Sequence, residues 1–183
     1  MEPPVITRRR RPFLFPVWLT LLAALIAIGI AIAIFRSATT TVVVLVGPAE
    51  RAVGTIDDPP LSPEAEQRAQ QLAQMFGASR GALSALYVSQ TRGAQQTAAP
   101  LVDRLGLHPI LVPANDPGGT ASRLLREHDG GTVMLVGTNA NVLQVLRELT
   151  GRDVIVTKDD DYGTLFVISV PTFGDVNVLR MKY

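Results

Sequence analysis

Few side chains in this chain are equipped for chemistry. Among its 183 residues there is no cysteine and there are only two histidines, His108 and His128. A thiolate nucleophile, a disulfide framework and a Cys-based metal site are therefore excluded, and a multi-histidine metal site lacks ligands. The remaining hydroxyls, amides and charges gather in three short turns: Gly47-Pro48-Ala49-Glu50, Ser89-Gln90-Thr91-Arg92 and Gly137-Thr138-Asn139-Ala140. Ser89, Thr91, Thr138 and the amides at Asn139 and Ala140 fit a weak anion nest, with Arg92 at its mouth. Glu50 has no histidine beside it to form an acid–base pair, and reads as a capping or solvent-facing carboxylate. His108 stands between Leu107 and Pro109, at the entry to a strand. His128 closes a helix, where a cation favours the helix dipole. Lys158-Asp159-Asp160-Asp161 imitates a metal site, but consecutive residues rarely converge on one ion, so a solvated loop is expected there. No metal and no cofactor are expected.

Each of the three turns follows a run suited to a strand. Thr41 to Val46 is continuously apolar and β-branched apart from its threonine and Leu45, as in a strand buried on both faces. Ala85–Ser89 and Thr132–Val136 read the same way, with shorter strands at Pro109–Val112 and Val154–Thr157. Between them lie helices. The first starts at Ser62-Pro63-Glu64 with a capping hydroxyl, a first-turn proline and an early acid, and stops at Gly77. Others span Arg92–Leu105 (closed by Gly106), Thr120–Glu127 and about Asn139–Leu149. Leu165–Val170 and Val176–Met181 form a closing hairpin. Alternation of this kind predicts a three-layer α/β/α sandwich with a mainly parallel sheet, whose ligand edge is formed by the C-terminal ends of the strands.

Seventeen basic and sixteen acidic residues give a net charge of +1. That average conceals a run, Arg8 to Arg11. Without it and Glu2 the rest holds 13 basic and 15 acidic groups, which argues against a nucleic-acid footprint in the globular part. From Pro12 to Phe35 there is no charged residue, and as a helix this stretch reaches about 36 Å against a hydrocarbon core of about 30 Å. A cleaved signal peptide would have a shorter apolar region, roughly 7–15 residues, and a small-residue cleavage site. The order expected is thus a basic cytoplasmic tail (1–11), a transmembrane helix (12–35), a tether (36–40) and a domain over 41–183. The arginines preceding the span predict a cytoplasmic N-terminus and an extracytoplasmic, periplasmic domain on a bacterial inner membrane. Ala23, Ala27 and Ala31 recur at helical spacing, a stripe through which two spans could approach as a homodimer.

Four segments, in order, resemble a known family. Leu45-Val46-Gly47-Pro48-Ala49-Glu50 stands where the family reads L-V-R-H-A-E, and Asp58 to Ala65 resembles D-x-P-L-T-P-x-G. Tyr87 to Ala98 resembles Y-S-S-x-x-x-R-A-x-Q-T-A, and Val133 to Asn139 resembles V-L-V-V-G-H-S. The family is the histidine phosphatase superfamily, also called phosphoglycerate mutase-like, and the likeness runs from about residue 41 to 183. It implies that fold. It also implies that the positions carrying the family's two arginines and two histidines are here Gly47, Pro48, Gly93 and Thr138. Proline has no ring nitrogen to attack phosphorus, and glycine has no guanidinium to grip a dianion. Threonine offers a hydrogen bond but no cation. Loss of one activated nucleophile already costs many orders of magnitude in rate. The expectation is a pseudoenzyme anchored in the membrane, serving as scaffold, assembly factor or subunit of an envelope complex with a protein partner. Two alternatives are a ligand-sensing module, with more room and less positive charge in its pocket, and a phosphatase using unconventional groups.

Overall fold

The computed structural model describes residues 14–37, 39–47, 60–77, 83–152 and 163–183. The chain divides into two units, Met1–Ala38 and Thr39–Tyr183. The first contains helix α1 (Leu14–Ser37), 24 residues long and shifted by two from the expected span. Its side chains are described over 17–33, where all are exposed. Over the described residues no helix is long and apolar enough to cross a membrane.

The second unit is built on a six-stranded sheet in the order β3-β2-β4-β1-β5-β6. The strands are β1 (Thr40–Val46), β2 (Ala85–Ser89), β3 (Ile110–Val112), β4 (Thr132–Val136), β5 (Thr164–Pro171) and β6 (Asn177–Lys182). Parallel pairing joins β3 to β2, β2 to β4 and β4 to β1. Antiparallel pairing joins β1 to β5 and β5 to β6. The sheet is therefore mixed, with four parallel strands and an antiparallel hairpin on one side.

The continuous apolar runs are explained by two covered faces. Val44 and Val46 of β1 pack with Leu86, Val88, Met134 and Val136 beneath α2 (Pro63–Phe76) and α3 (Arg92–Leu105). Val43 and Leu45 point the other way, to α4 (Pro117–Glu127) and α5 (Asn139–Thr150), among Tyr87, Leu124, Val145 and Leu146. Alternation with period two thus divides one strand between two cores, and each leucine so buried contributes about 1.5–3 kcal/mol.

Local signals set the helix ends. Ser62 Oγ accepts the Ala65 N–H at 3.2 Å with Pro63 opening α2, and Gly106 and Gly151 end α3 and α5 in left-handed conformation at φ 67° and 64°. Helix α4 begins at Pro117, three residues before the expected Thr120. Asp116 caps it by accepting the Gly119 N–H at 2.9 Å, and Pro117 opens it, so the Gly118-Gly119 pair lies inside the first turn rather than in a loop. The expected strand at 154–157 lies outside the described residues.

Candidate active site

Gly47, Ser89 to Arg92 and Gly137 to Ala140, the described residues of the three expected turns, lie at the C-terminal edge of the parallel strands. Gly47 follows β1, and backbone hydrogen bonds tie it to its neighbours: its N–H donates to Thr164 O at 3.4 Å, and the Gly137 N–H donates to Val46 O at 3.1 Å. Gly47 is buried, and its carbonyl accepts the Tyr183 hydroxyl at 3.3 Å. A Cβ on Gly47 would stand 2.5 Å from Asn139 Oδ1. The volume that any side chain at 47 would enter is thus held by the amide of Asn139. This corrects the expectation of added room at that position, because the neighbouring helix start has filled it. Pro48 and Glu50 lie outside the described residues, as do Lys158 to Asp161.

Thr138 is the N-cap of α5. Its Oγ1 accepts the Asn141 N–H at 3.2 Å, so the hydroxyl expected to meet a ligand is engaged in holding the helix start. Gly93 is the second residue of α3 and is buried, and its carbonyl accepts the Thr97 hydroxyl at 2.7 Å. Arg92 opens the same helix and is exposed. Thr91 occupies the N-cap position without a side-chain capping bond, and its Oγ1 is buried.

Two further residues belong here that sequence reasoning did not single out. Asn141, 1% exposed, donates Nδ2–H to Ala114 O at 2.9 Å, which fixes its amide. Its Oδ1, together with Ser89 Oγ and Thr91 Oγ1, is buried without a hydrogen-bond partner among the described residues. A Cβ on Gly137 would lie 2.8 Å from Asn141 Oδ1 and 3.1 Å from Ser89 Oγ, so glycine is required where these two polar atoms converge. The signal for Asn141 was its place two residues after Asn139 in the first turn of α5. Tyr183 was the other omission, and nothing local connects it to Gly47.

Burial pushes the Tyr183 phenol up to about 12. It remains neutral at ordinary pH and donates to Gly47 O. The site as described therefore offers hydroxyls, amides and backbone N–H groups, with the cation of Arg92 at its margin. Among the described residues no group of three or more His, Cys, Asp or Glu could hold a metal ion.

Neither histidine lies at this edge. His108 is exposed in the turn before β3. His128 is the C-cap of α4, where its Nε2 stands 3.0 Å from the Tyr87 hydroxyl. That hydroxyl donates to Glu127 Oε2 at 2.9 Å, while Arg123 Nε donates to Glu127 Oε1 at 3.1 Å. Burial, then the Glu127 carboxylate, pushes Tyr87 up to about 12. The hydrogen bond from Arg123, then that from Tyr87, holds Glu127 below the usual carboxylate range. This cluster ties α4 to the sheet.

Comparison with known proteins agrees with the fold. The family profile described as histidine phosphatase superfamily (branch 1) matches residues 37–114. A search of curated proteins gives no significant sequence match. Among solved structures, the protein histidine phosphatase SixA complexed with tungstate superposes with a TM-score of 0.63 at 18% identity, covering 77% of this chain and 96% of that one. The putative phosphohistidine phosphatase SixA from Agrobacterium tumefaciens gives 0.56 at 18% identity, covering 75% and 97%. A mycobacterial glucosyl-3-phosphoglycerate phosphatase gives 0.57 at 13% identity, covering 80% and 98%. The domain over Thr39–Tyr183 accordingly has the histidine phosphatase fold, and residues 37–114 carry the sequence pattern of that superfamily.

Proposed function

We propose that this chain is a membrane-anchored, catalytically inactive relative of the histidine phosphatases that works through binding, as scaffold, assembly factor or subunit of a bacterial inner-membrane complex. The observation that carries the reading is at Gly47. The first strand of this fold ends in a glycine whose side-chain space is taken by Asn139 and whose carbonyl is engaged by Tyr183. The resemblance implies an arginine there, followed by a nucleophilic histidine where this sequence has Pro48. Gly93 and Thr138 remove the second arginine and second histidine that the resemblance implies. At those four positions no nitrogen nucleophile and no paired cations then remain to form a phosphoenzyme.

The anchor rests on the uncharged run from Pro12 to Phe35 and on α1, which is apolar all round and exposed along its described side chains. Arg8 to Arg11 before the run support a cytoplasmic N-terminus and a periplasmic domain. The test is an assay of the purified full-length chain with p-nitrophenyl phosphate and phosphorylated sugars, expected at background. Turnover that persists through stringent purification and disappears in Ser89→Ala or Arg92→Ala would overturn the reading. A partner is sought by mild detergent extraction and cross-linking.

A ligand-sensing role is favoured by one separate observation. Ser89 Oγ, Thr91 Oγ1 and Asn141 Oδ1 are buried polar atoms without partners among the described residues, an arrangement that costs about 1–3 kcal/mol for each atom left unpaired. A small neutral or weakly anionic molecule reaching that edge would relieve the cost. Thermal-shift screening with a broad metabolite set tests this, and a complete lack of stabilisers counts against it.

A further inference from the structure

The sheet ends on one side at β3, and the backbone there limits what can approach it. Val112 O accepts the Gln90 N–H at 3.2 Å, so Val112 and, by alternation, Ile110 turn their backbone groups toward β2. Leu111 turns its own outward. The next outward positions are Pro109 and Pro113, neither of which has an N–H. A single N–H is too little for a strand to add to this edge, whether from a partner or from a second copy.

Beside that edge lies a groove of about 350 Å³ between α3 and β3. Its floor is Val88 and Ala98, 1% and 2% exposed. Leu111, in register with Val88, forms one wall and is half exposed, and Ala99, Val102 and Pro109 complete the apolar lining. Two polar side chains enter, Gln95 and Asp103. They stand eight residues apart on α3, about 12 Å along the helix, and so mark the two ends of the groove. Neither side chain has a hydrogen bond or ion pair among the described residues. A second groove, about 270 Å³, lies on the α2 flank of α3, shares Ala99 and Asp103 and adds the carboxylate of Glu66. No Lys, Arg or His lines either groove. Arg104, next to Asp103, is turned to the end of α2, where its Nε lies 3.5 Å from Gly77 O.

An apolar groove of this volume is in the range of small-molecule sites, and its one charged group is a carboxylate without a counter-ion. A fatty acid or an oxyanion would set its charge against Asp103. A pure hydrocarbon would leave Asp103 and Gln95 unused. The complement is an alkyl chain that ends in a cation. We propose that the α3–β3 groove is a binding site for a small aliphatic amine, its chain lying on Val88, Ala98 and Leu111 and its ammonium donating to the Asp103 carboxylate. The site lies on the flank of the sheet, and it depends neither on the membrane anchor nor on the chemistry lost at Gly47.

The test uses the full-length chain with carbon-13 in its Leu and Val methyl groups and follows, by NMR, the residues Val88, Val102 and Leu111 that line the groove. Hexylamine is expected to give saturable methyl shifts at all three. Hexanol should bind about two- to fivefold more weakly, as for the loss of one exposed ion pair, and hexanoate should give no shift. Asp103→Asn is expected to bring hexylamine to the affinity of hexanol. Ala99→Leu, at an exposed helix position, is expected to abolish the shifts by filling the groove. Hexanoate binding as tightly as hexylamine would overturn the proposal, as would an Asp103→Asn variant that binds hexylamine unchanged. A native chain without saturable shifts in hexylamine would overturn it too. So would methyl shifts that follow protein concentration with no amine present, which would mark a second copy in the groove.

Discussion

Gly47 and Gly137 are both buried glycines at strand ends, yet they meet different neighbours. The Cβ of Gly47→Ala would press chiefly on one atom, Asn139 Oδ1 at the far end of its side chain. The Cβ of Gly137→Ala would press on Asn141 Oδ1, Ser89 Oγ and Val142 Cγ2 together, and Asn141 is fixed by its bond to Ala114 O. Urea unfolding should therefore show a loss of about 1–3 kcal/mol for Gly137→Ala, as for overpacking in a core, and clearly less for Gly47→Ala. Equal losses would mean that the single contact at Asn139 resists as strongly as the three contacts at Gly137. At this scale the sequence was legible for identity and opaque for occupancy. That Gly47 lacks a side chain is written in the chain. That Asn139 fills its place is not, because the two residues meet only after β4 pairs beside β1.

Helix boundaries are where local rules were strongest. Ser62-Pro63, Gly106 and Gly151 marked their ends through capping and left-handed glycine conformations, which depend on a few adjacent residues. Helix α4 starts three residues before the expected Thr120: Gly118-Gly119 lowers helix propensity, and the Asp116 cap and Pro117 outweigh it. Asp116→Ala should cost about 1 kcal/mol of stability, measured by urea unfolding, with Asp116→Asn or Asp116→Ser recovering most of it. A loss from Asp116→Ala that neither replacement recovers would mean that charge, rather than capping, is the operative property. The hairpin was legible as two strands, but its pairing with β1 was not, since antiparallel addition to a parallel sheet depends on contacts across more than a hundred residues.

For the molecule as a whole, the two raised phenols predict an alkaline limit. Each has a folded-state pKa of about 12 against an ordinary value of 10.0. The folded chain holds these protons more tightly, so the associated stability is fully present below pH 10 and is lost between about pH 10 and 12. For Tyr183, half-buried beside Gly47, the shift corresponds to at most about 2–3 kcal/mol. Urea midpoints should fall over that range in the native chain and fall less in Tyr183→Phe; identical slopes would dismiss the assignment. Spectrophotometric titration of the tyrosines gives an independent reading. The order of the sheet carries one more consequence, which concerns mechanics. The chain passes from Thr39 straight into β1, and β1 lies between β4 and β5 with five and seven residues in register. A pull on the tether runs along this central strand and loads both ladders in shear, so their bonds share the force and must fail together. Had the tether joined an edge strand such as β6, the same pull could have peeled the sheet one pair at a time. This domain should withstand tension up to a single abrupt rupture, a property that would suit the anchored chain proposed above.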